Sequence, residues 1–224
     1  MRLFIFRRIN KMKKPLERRF NPACEVRTVP TESGSLITGR PIVYGSRTDL
    51  EFFDEIIEPG ALDGADLTDV RFLVNHNTDM IPLARSRRNN GNSTMTLTVV
   101  PEGMNMEAVV DTENNATARE LKSAIERGDL SGMSFMFSID DEEWDDLESD
   151  HPTRHIRKIG SVVEVSAVTF PAYDATSINA RSKDTLESAR KAVETAQANA
   201  KRSVETDSNL LELEKAKTII LGGK

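Results

Sequence analysis

Residues 127–140 read RGDLSGMSFMFSID, and within them a helix gives way to a strand. From Ser134 to Ile139, serine or methionine alternates with phenylalanine or isoleucine, which is the pattern of a strand with one buried face. Gly128 suits the end of the preceding helix, because glycine adopts a positive φ without steric cost. The stretch therefore predicts that Ser134 begins a strand shortly after a helix.

The segment before Gly128 predicts one amphipathic helix. Asn114 or Asn115 can cap its first turn with a side-chain oxygen. Four apolar residues then recur at helical spacing and form one stripe: Ala118, Leu121, Ala124 and Ile125. We expect this stripe to pack against a sheet.

Short β-branched segments elsewhere predict strands. A hairpin opens the domain between Phe20 and Thr48, with its turn at Ser33-Gly34-Ser35, and Pro101-Glu102-Gly103 joins a second hairpin. The other predicted strands are Val70–Val74, Met95–Val100, Met104–Val110, Ser134–Ile139 and Val162–Phe170. Many short strands at this spacing predict a mainly β (α+β) fold, as an antiparallel sandwich or barrel.

Charge divides the chain into three parts. Residues 1–20 carry eight Lys or Arg and one Glu, residues 21–181 carry 14 basic and 28 acidic residues, and residues 182–224 carry eight and seven. The acidic middle part would repel phosphates, so nucleic-acid binding is disfavoured and could only involve the basic end. We expect a basic flexible arm at 1–19, a domain at 20–181 and a tail at 182–224.

The composition fits one domain with polar ends, since 38% of the 224 residues are hydrophobic and 29% are charged. Cys24 is the only cysteine, which excludes an intramolecular disulfide and a cysteine-based metal site and indicates an intracellular protein. No apolar run approaches the ~18 residues of a membrane span, so we expect a soluble, non-exported protein.

The tail predicts an amphipathic helix with a narrow, alanine-rich face from Leu186 to Ala200. Small side chains bury little area, which favours a helix for partner binding or self-association over a part of the main core. A solvated, partly disordered tail is the alternative. A second short helix is predicted in residues 210–220, after a possible stop and cap at 207–209.

The chain has three histidines: His76, His151 and His155. The last two have the i, i+4 spacing of a helical metal pair, but Pro152 follows the first and residues 154–166 alternate like a strand. This disfavours zinc, and we expect no metal and no cofactor.

Ser134, His76 and Glu164 offer the three groups that serine hydrolysis requires. His76 follows the predicted strand ending at Val74, where a side chain is both oriented and accessible. Glu164 interrupts an apolar run, so it either lies at a sheet edge or needs a hydrogen-bonding partner. A base must take the serine proton and a third group must orient that base. The chain order matches none of the familiar triads, so spacing alone does not assign these roles.

Several longer motifs carry a resemblance to a known family. They are YGSRTDLEFFDEIIEPGAL (44–62), FLVNHN (72–77) with PLARS (82–86), ARELKSAIERGDLSGMSFMF (118–137), DDEEW (140–144) and RHIRKIGSVVEVSAVTFPAYDATSINARS (154–182). In the residues of these motifs and in their order, the chain resembles the caudovirus prohead protease family. The resemblance extends from about Phe20 to Arg181.

The resemblance implies a serine endopeptidase of tailed phages, related in fold to herpesvirus assemblin, a β-barrel surrounded by helices. It implies that the enzyme is packaged inside the procapsid, in the cytoplasm of the host bacterium. There it would cleave the scaffolding portion of the major capsid protein and then itself. The expected partners are the capsid protein, its scaffolding segment and further copies of the chain.

By motif, the resemblance implies that His76 of NHN is the general base and that Ser134 of GMSF is the nucleophile. Glu164 of EVS is the expected third member of the triad. Assemblins use a second histidine in this role, which would point to His155, and Asp79 is a remote option.

The oxyanion donors stay open. Backbone amides near Gly132 or between Pro82 and Arg85 are candidates, since glycine allows close backbone approach. Ala84 departs from the family, which often has glycine there, and this bears on the loop geometry and not on the triad.

Two other functions stay open beside the protease. The chain could be a catalytically idle internal scaffold whose tail binds capsid protein. A nucleic-acid role through residues 1–20 ranks lower, because the charge of the remaining chain opposes it.

Overall fold

A computed structural model describes residues 15–21, 26–31, 34–169 and 187–202. Strands dominate these residues, as the sequence predicts. They are β1 (Leu16–Asn21), β2 (Arg27–Thr31), β3 (Gly34–Val43), β4 (Arg47–Asp49), β5 (Asp54–Ile57), β6 (Arg71–Val74), β7 (Ala84–Arg85), β8 (Met95–Val100), β9 (Gly103–Val110), β10 (Gly132–Asp145) and β11 (Thr153–Val168). The helical elements are α1 (Ala116–Arg127), a 3-10 turn (Arg87–Asn89) and α2, which covers residues 187–202.

The predicted helix and both predicted hairpins are confirmed. α1 begins after Asn115, whose side-chain oxygen accepts a hydrogen bond from the Ala118 amide at 3.2 Å, and it ends at Gly128, which has a φ of 77°. β8 pairs antiparallel with β9, and β2 with β3. The predicted turn of the opening hairpin is not confirmed, because residues 32–33 lie outside the described residues and Gly34 and Ser35 already belong to β3.

β10 and β11 are longer than the sequence predicts and form one antiparallel hairpin. β10 continues to Asp145, and β11 starts at Thr153, well before the predicted Val162. The added halves are rich in charged residues and pair through their backbones, so hydropathy gives little sign of them. Phe170, the predicted end of the second strand, lies outside the described residues.

The structure has two sheets, and the predicted antiparallel barrel is wrong. The larger sheet has the order β1-β10-β11-β5-β4, with β6 also pairing β11 and β7 pairing β6, and the smaller has the order β2-β3-β9-β8. β11 pairs in parallel with β5 and with β6, and the long connections between these strands provide the crossover that parallel pairing requires. Among the described residues no closed barrel is found, and α1 and α2 are too few to surround one.

One hydrophobic core joins the two sheets and α1. It contains Ile37 and Met106 from the smaller sheet and Phe135 and Phe137 from the larger one. The predicted stripe of α1 reaches the same core through Leu121 and its neighbours. β10 is buried at every position from 132 to 138, so both of its faces are covered there, not one as predicted.

Five charged side chains form a largely buried ionic cluster: Glu17, Arg19, Glu55, Glu142 and Arg154. Arg19 Nε lies 2.5 Å from Glu55 Oε1, Arg19 Nη2 contacts Glu17 Oε2, and Arg154 Nη1 lies 2.9 Å from Glu17 Oε2. Burial alone raises the pKa of Glu17, but the charges and hydrogen bonds of both arginines outweigh it and lower this pKa below its ordinary 4.5. The stabilisation from Glu17 is therefore present above pH 4.5 and is lost as the pH falls through the lowered pKa.

The ionic cluster anchors β1 in the larger sheet. Residues 16–19, which the sequence assigns to the flexible arm, are thus part of a strand that pairs with β10. Residues 1–14 of that arm lie outside the described residues, and the limits at 20 and 181 stay predictions.

α2 packs on a second, smaller hydrophobic cluster. Its Ala189 and Val193 are buried together with Leu50 and Phe53, and Trp144 packs against this group. The predicted tail helix is therefore confirmed over its described residues, and it faces this chain's own domain. The helix predicted in 210–220 lies outside the described part. Neither described helix is long and apolar enough to cross a membrane.

Replacing Arg154 with methionine should cost about 3–5 kcal/mol in the free energy of unfolding, because Glu17 and Glu55 would stay buried without one of their cations. Arg157→Met is the control, since its ion pair with Glu143 on the same hairpin is exposed to solvent and should contribute much less to the free energy of unfolding. Urea unfolding followed by circular dichroism measures both. Equal losses would contradict the role of the cluster.

Val193→Asp should detach α2, because the buried carboxylate would have no partner. Trp144 is the only tryptophan of the chain, so its fluorescence should move to longer wavelength as the helix leaves. Ala198→Asp, at an exposed position of the same helix, should leave the emission unchanged. An unshifted spectrum in the Val193 variant would argue against the packing of α2.

Candidate active site

His76 and Glu164 form a close pair. His76 Nδ1 lies 2.5 Å from Glu164 Oε1, and the two side chains are 16% and 3% exposed. An ionised carboxylate only accepts hydrogen bonds, so Nδ1 carries the proton between them and Nε2 is left as the basic nitrogen. A histidine held in this way is oriented to act as a general base.

The turn after β6 places His76. Asn75 and His76 have positive φ angles of 52° and 56°, which cost non-glycine residues on the order of 1–3 kcal/mol each. Hydrogen bonds to the end of β11 hold this turn. The backbone N–H of Asn75 donates to Ala167 O at 2.9 Å, and the Asn75 side-chain oxygen Oδ1 accepts from the backbone N–H of Thr169 at 3.0 Å. The backbone N–H of His76 donates to Ser166 Oγ at 3.1 Å. The strained turn therefore fixes the histidine over the sheet.

Glu164 lies inside the larger sheet, since β11 has neighbouring strands on both sides. The edge position considered from the sequence is wrong, and the predicted need for a partner is confirmed. Oε1 contacts His76, and Oε2 accepts a hydrogen bond from Ser166 Oγ at 2.5 Å. Both oxygens of this buried carboxylate are thus engaged.

Ser134 lies on the same sheet face as Glu164. It is opposite Ser166 in the β10–β11 ladder, and Ser166 is two residues from Glu164. Ser134 is 3% exposed, and its hydroxyl donates to Arg19 O of β1 at 2.7 Å. The three residues nominated from the sequence therefore come to one region, with the Ser134 hydroxyl bonded to β1.

The alternative third members lie elsewhere. His155 Nδ1 is 2.6 Å from Glu58, and its Nε2 is 3.1 Å from Asp145. It precedes Glu164 by nine residues on β11, which corresponds to about 30 Å along a strand. Asp79 is exposed in the turn that follows His76. The contacts of His76 favour Glu164 over both.

Backbone amides in the predicted oxyanion segment 82–85 are partly used within the fold. Pro82 has no amide proton, the Leu83 amide donates to Phe72 O at 2.9 Å, and the Arg85 amide donates to Thr94 Oγ1 at 2.9 Å. Gly132, in the other predicted segment, starts β10 two residues before Ser134 and pairs with Val168 of β11. The oxyanion donors therefore stay a prediction.

Within the part of the chain that the structure describes, one group of side chains has a spacing suited to a metal ion. Single ligand atoms of Asp49, Asp54 and His151 lie within 4.8 Å of one another. Asp54 already pairs with Arg47 at 2.6 Å and with His151 at 3.3 Å, so ion pairing accounts for their approach. His151 and His155 take different partners and do not form the metal pair considered from their spacing.

The sequence reasoning missed Ser166, which contacts both His76 and Glu164. Its signal was present, because Ser166 follows Glu164 by two residues in a predicted strand and so shares its face. The sequence does not show which residues contact that face, because this depends on the pairing of β11 with β10 and β6.

Comparison with known proteins identifies the family of this chain. No curated protein and no solved structure matches the chain, so the relation to assemblin stays a prediction. The family model of the caudovirus prohead serine protease matches residues 23–191 of the 224. This match covers the site and most of the described residues, and the chain therefore belongs to the caudovirus prohead serine protease family.

Proposed function

We propose that this chain is the serine endopeptidase of a phage procapsid, with Ser134 as nucleophile, His76 as general base and Glu164 as the group that orients the base. The observation that carries the proposal is the 2.5 Å contact of His76 with the buried Glu164, on the sheet face that also holds Ser134. Membership of the family supports the reaction class.

In the proposed reaction, Ser134 Oγ attacks the scissile carbonyl carbon while its proton passes to His76 Nε2. Glu164 stabilises the imidazolium that forms, because a carboxylate with little solvent contact favours the adjacent positive charge. The imidazolium then gives the proton to the leaving amine, and an acyl-enzyme remains. Water, activated by the same histidine, hydrolyses the ester and restores the serine.

The Ser134 hydroxyl must be released before this reaction begins. In the structure its proton is donated to Arg19 O, so that hydrogen bond has to break before His76 can take the proton. β1 is an edge strand held mainly by β10 and by the ionic cluster. A small displacement of β1 would be enough to free the hydroxyl.

The proposed substrates are the scaffolding portion of the major capsid protein and the chain itself, inside the procapsid in the host cytoplasm. The family assignment supports a capsid-maturation role. Self-cleavage would act on segments at the chain ends, and α2 would then hold the enzyme to scaffold or be removed. Confinement in the shell would raise the local concentration of a weak protease.

Ser134→Ala should abolish cleavage of the capsid protein and of the chain, with activity at least about a thousandfold lower, because the nucleophile is lost. Ser138→Ala is the matched control, since it removes another serine hydroxyl from β10. Intact mass against time, with and without the capsid protein, follows both reactions. Normal capsid assembly and unchanged masses in the wild type would instead support an idle scaffold.

Glu164→Gln should lower kcat roughly a thousandfold or more, because a neutral amide does not stabilise the imidazolium and its N–H group can donate to Nδ1, which favours the wrong histidine tautomer. His155→Gln removes a second histidine–glutamate pair, that of His155 with Glu58, and should cleave close to the wild-type rate. Initial rates on one capsid-derived peptide compare the two. A large loss in the His155 variant with an active Glu164 variant would move the third role to His155.

A further inference from the structure

Ser166 joins the two residues of the proposed base pair. Its hydroxyl donates to Glu164 Oε2 at 2.5 Å and accepts the backbone N–H of His76 at 3.1 Å. Ser166 is fully buried. A hydroxyl has one proton to donate and lone pairs that accept, and here each capacity meets a different part of the same pair.

The geometry points to Ser166 as a positioning residue for catalysis, an inference that rests on the proposed function. Glu164 reaches His76 through one carboxylate oxygen, and Ser166 fixes the other oxygen, so the carboxylate is held at two points. The same hydroxyl holds the backbone of His76, which sits at a strained positive φ. The Ser166 hydroxyl is therefore a common anchor that fixes the positions of the Glu164 carboxylate and the His76 imidazole.

Such an anchor should affect rate more than substrate binding. The Nδ1 hydrogen bond depends on the relative place of ring and carboxylate, and small misplacements of catalytic groups cost about 100-fold in rate. Ser166 is on β11 opposite Ser134, so the anchor and the nucleophile belong to one ladder. The pairing of β10 with β11 therefore sets the distance between the base His76 and the nucleophile Ser134.

Ser166 is a poor nucleophile in this position. Its oxygen already accepts the His76 amide, its proton goes to Glu164, and its side chain is closed to solvent. A substrate carbonyl would have to enter a fully buried space and displace both hydrogen bonds. The role left to Ser166 is to hold the base.

The same two strands supply a matched control. Ser138 and Ser161 are hydrogen-bonded to each other, with 2.9 Å between their hydroxyl oxygens, and Ser138 is buried on β10. Ser138→Ala removes one hydroxyl from the β10–β11 hairpin, as Ser166→Ala does. Only the second change touches His76 and Glu164.

In cleavage of a capsid-derived peptide, Ser166→Ala should lower kcat about 10- to 100-fold with little change in KM. Ser138→Ala should keep kcat while showing a similar fall in thermal midpoint. If Ser166→Ala does not fold, Ser166→Cys keeps most of the volume with a weaker donor and should show the same kcat loss. Equal kcat values in the Ser166 and Ser138 variants would overturn the inference, as would cleavage that survives Ser134→Ala and is lost in Ser166→Ala.

A spectroscopic measurement separates this inference from the proposed function. His76 Nδ1 and Glu164 Oε1 lie 2.5 Å apart, and a proton held in so short a hydrogen bond should be deshielded. We therefore expect a far-downfield proton resonance that Glu164→Gln and His76→Gln remove. Ser166→Ala should shift or broaden it, and Ser138→Ala should leave it in place. If the wild type cleaves nothing but the resonance responds in this way, the proposed function fails and Ser166 still holds the pair. An unchanged resonance in Ser166→Ala overturns the inference even if the wild type is an active protease.

Discussion

The antiparallel ladder between β10 and β11 is the constraint on which the rest of the site depends. Its register sets Ser134 opposite Ser166, with Glu164 two residues further along the same face. β6 then pairs in parallel with β11 and ends beside this face, and the strained turn after it brings His76 onto Glu164. A shift of one residue in this register would turn Glu164 into the core and separate the pair.

Two groups of buried ionisable side chains lie at this ladder. His76 and Glu164 lie on the face of Ser134, while Arg19 stacks over the ring of Phe137, 5.8 Å from its centre, on the opposite face. Buried charges are tolerated only when they are paired, so each group restricts the strands that carry it. The ionic cluster fixes β1, and β1 supplies the carbonyl that engages the Ser134 hydroxyl. The edge strand β1 therefore contributes both to the stability of the sheet and to the hydrogen bonding of the Ser134 hydroxyl.

The sequence predicted those features that depend on interactions between residues close together in the chain. The strand Met95–Val100, a cap at Asn114 or Asn115 and the stop at Gly128 follow from alternation and from backbone preferences. The strand and the stop are present, and the structure selects Asn115 as the cap. The parallel pairing of β11 was missed because it joins distant segments, and a hairpin pattern carries no information about it. Residue type and family motif nominated the three site residues. The role of Ser166 depends on contacts with Glu164 and with the His76 backbone, and the second of these is set by tertiary structure.

The most direct test of the central claim is to locate the reactive serine chemically. A phosphonofluoridate reagent forms a covalent adduct with a serine that an adjacent base activates, and peptide mapping by mass spectrometry finds the modified residue. The account predicts an adduct on Ser134 that forms in the wild type and is lost in His76→Gln. An adduct on another serine, or one on Ser134 that forms equally fast without His76, would contradict it.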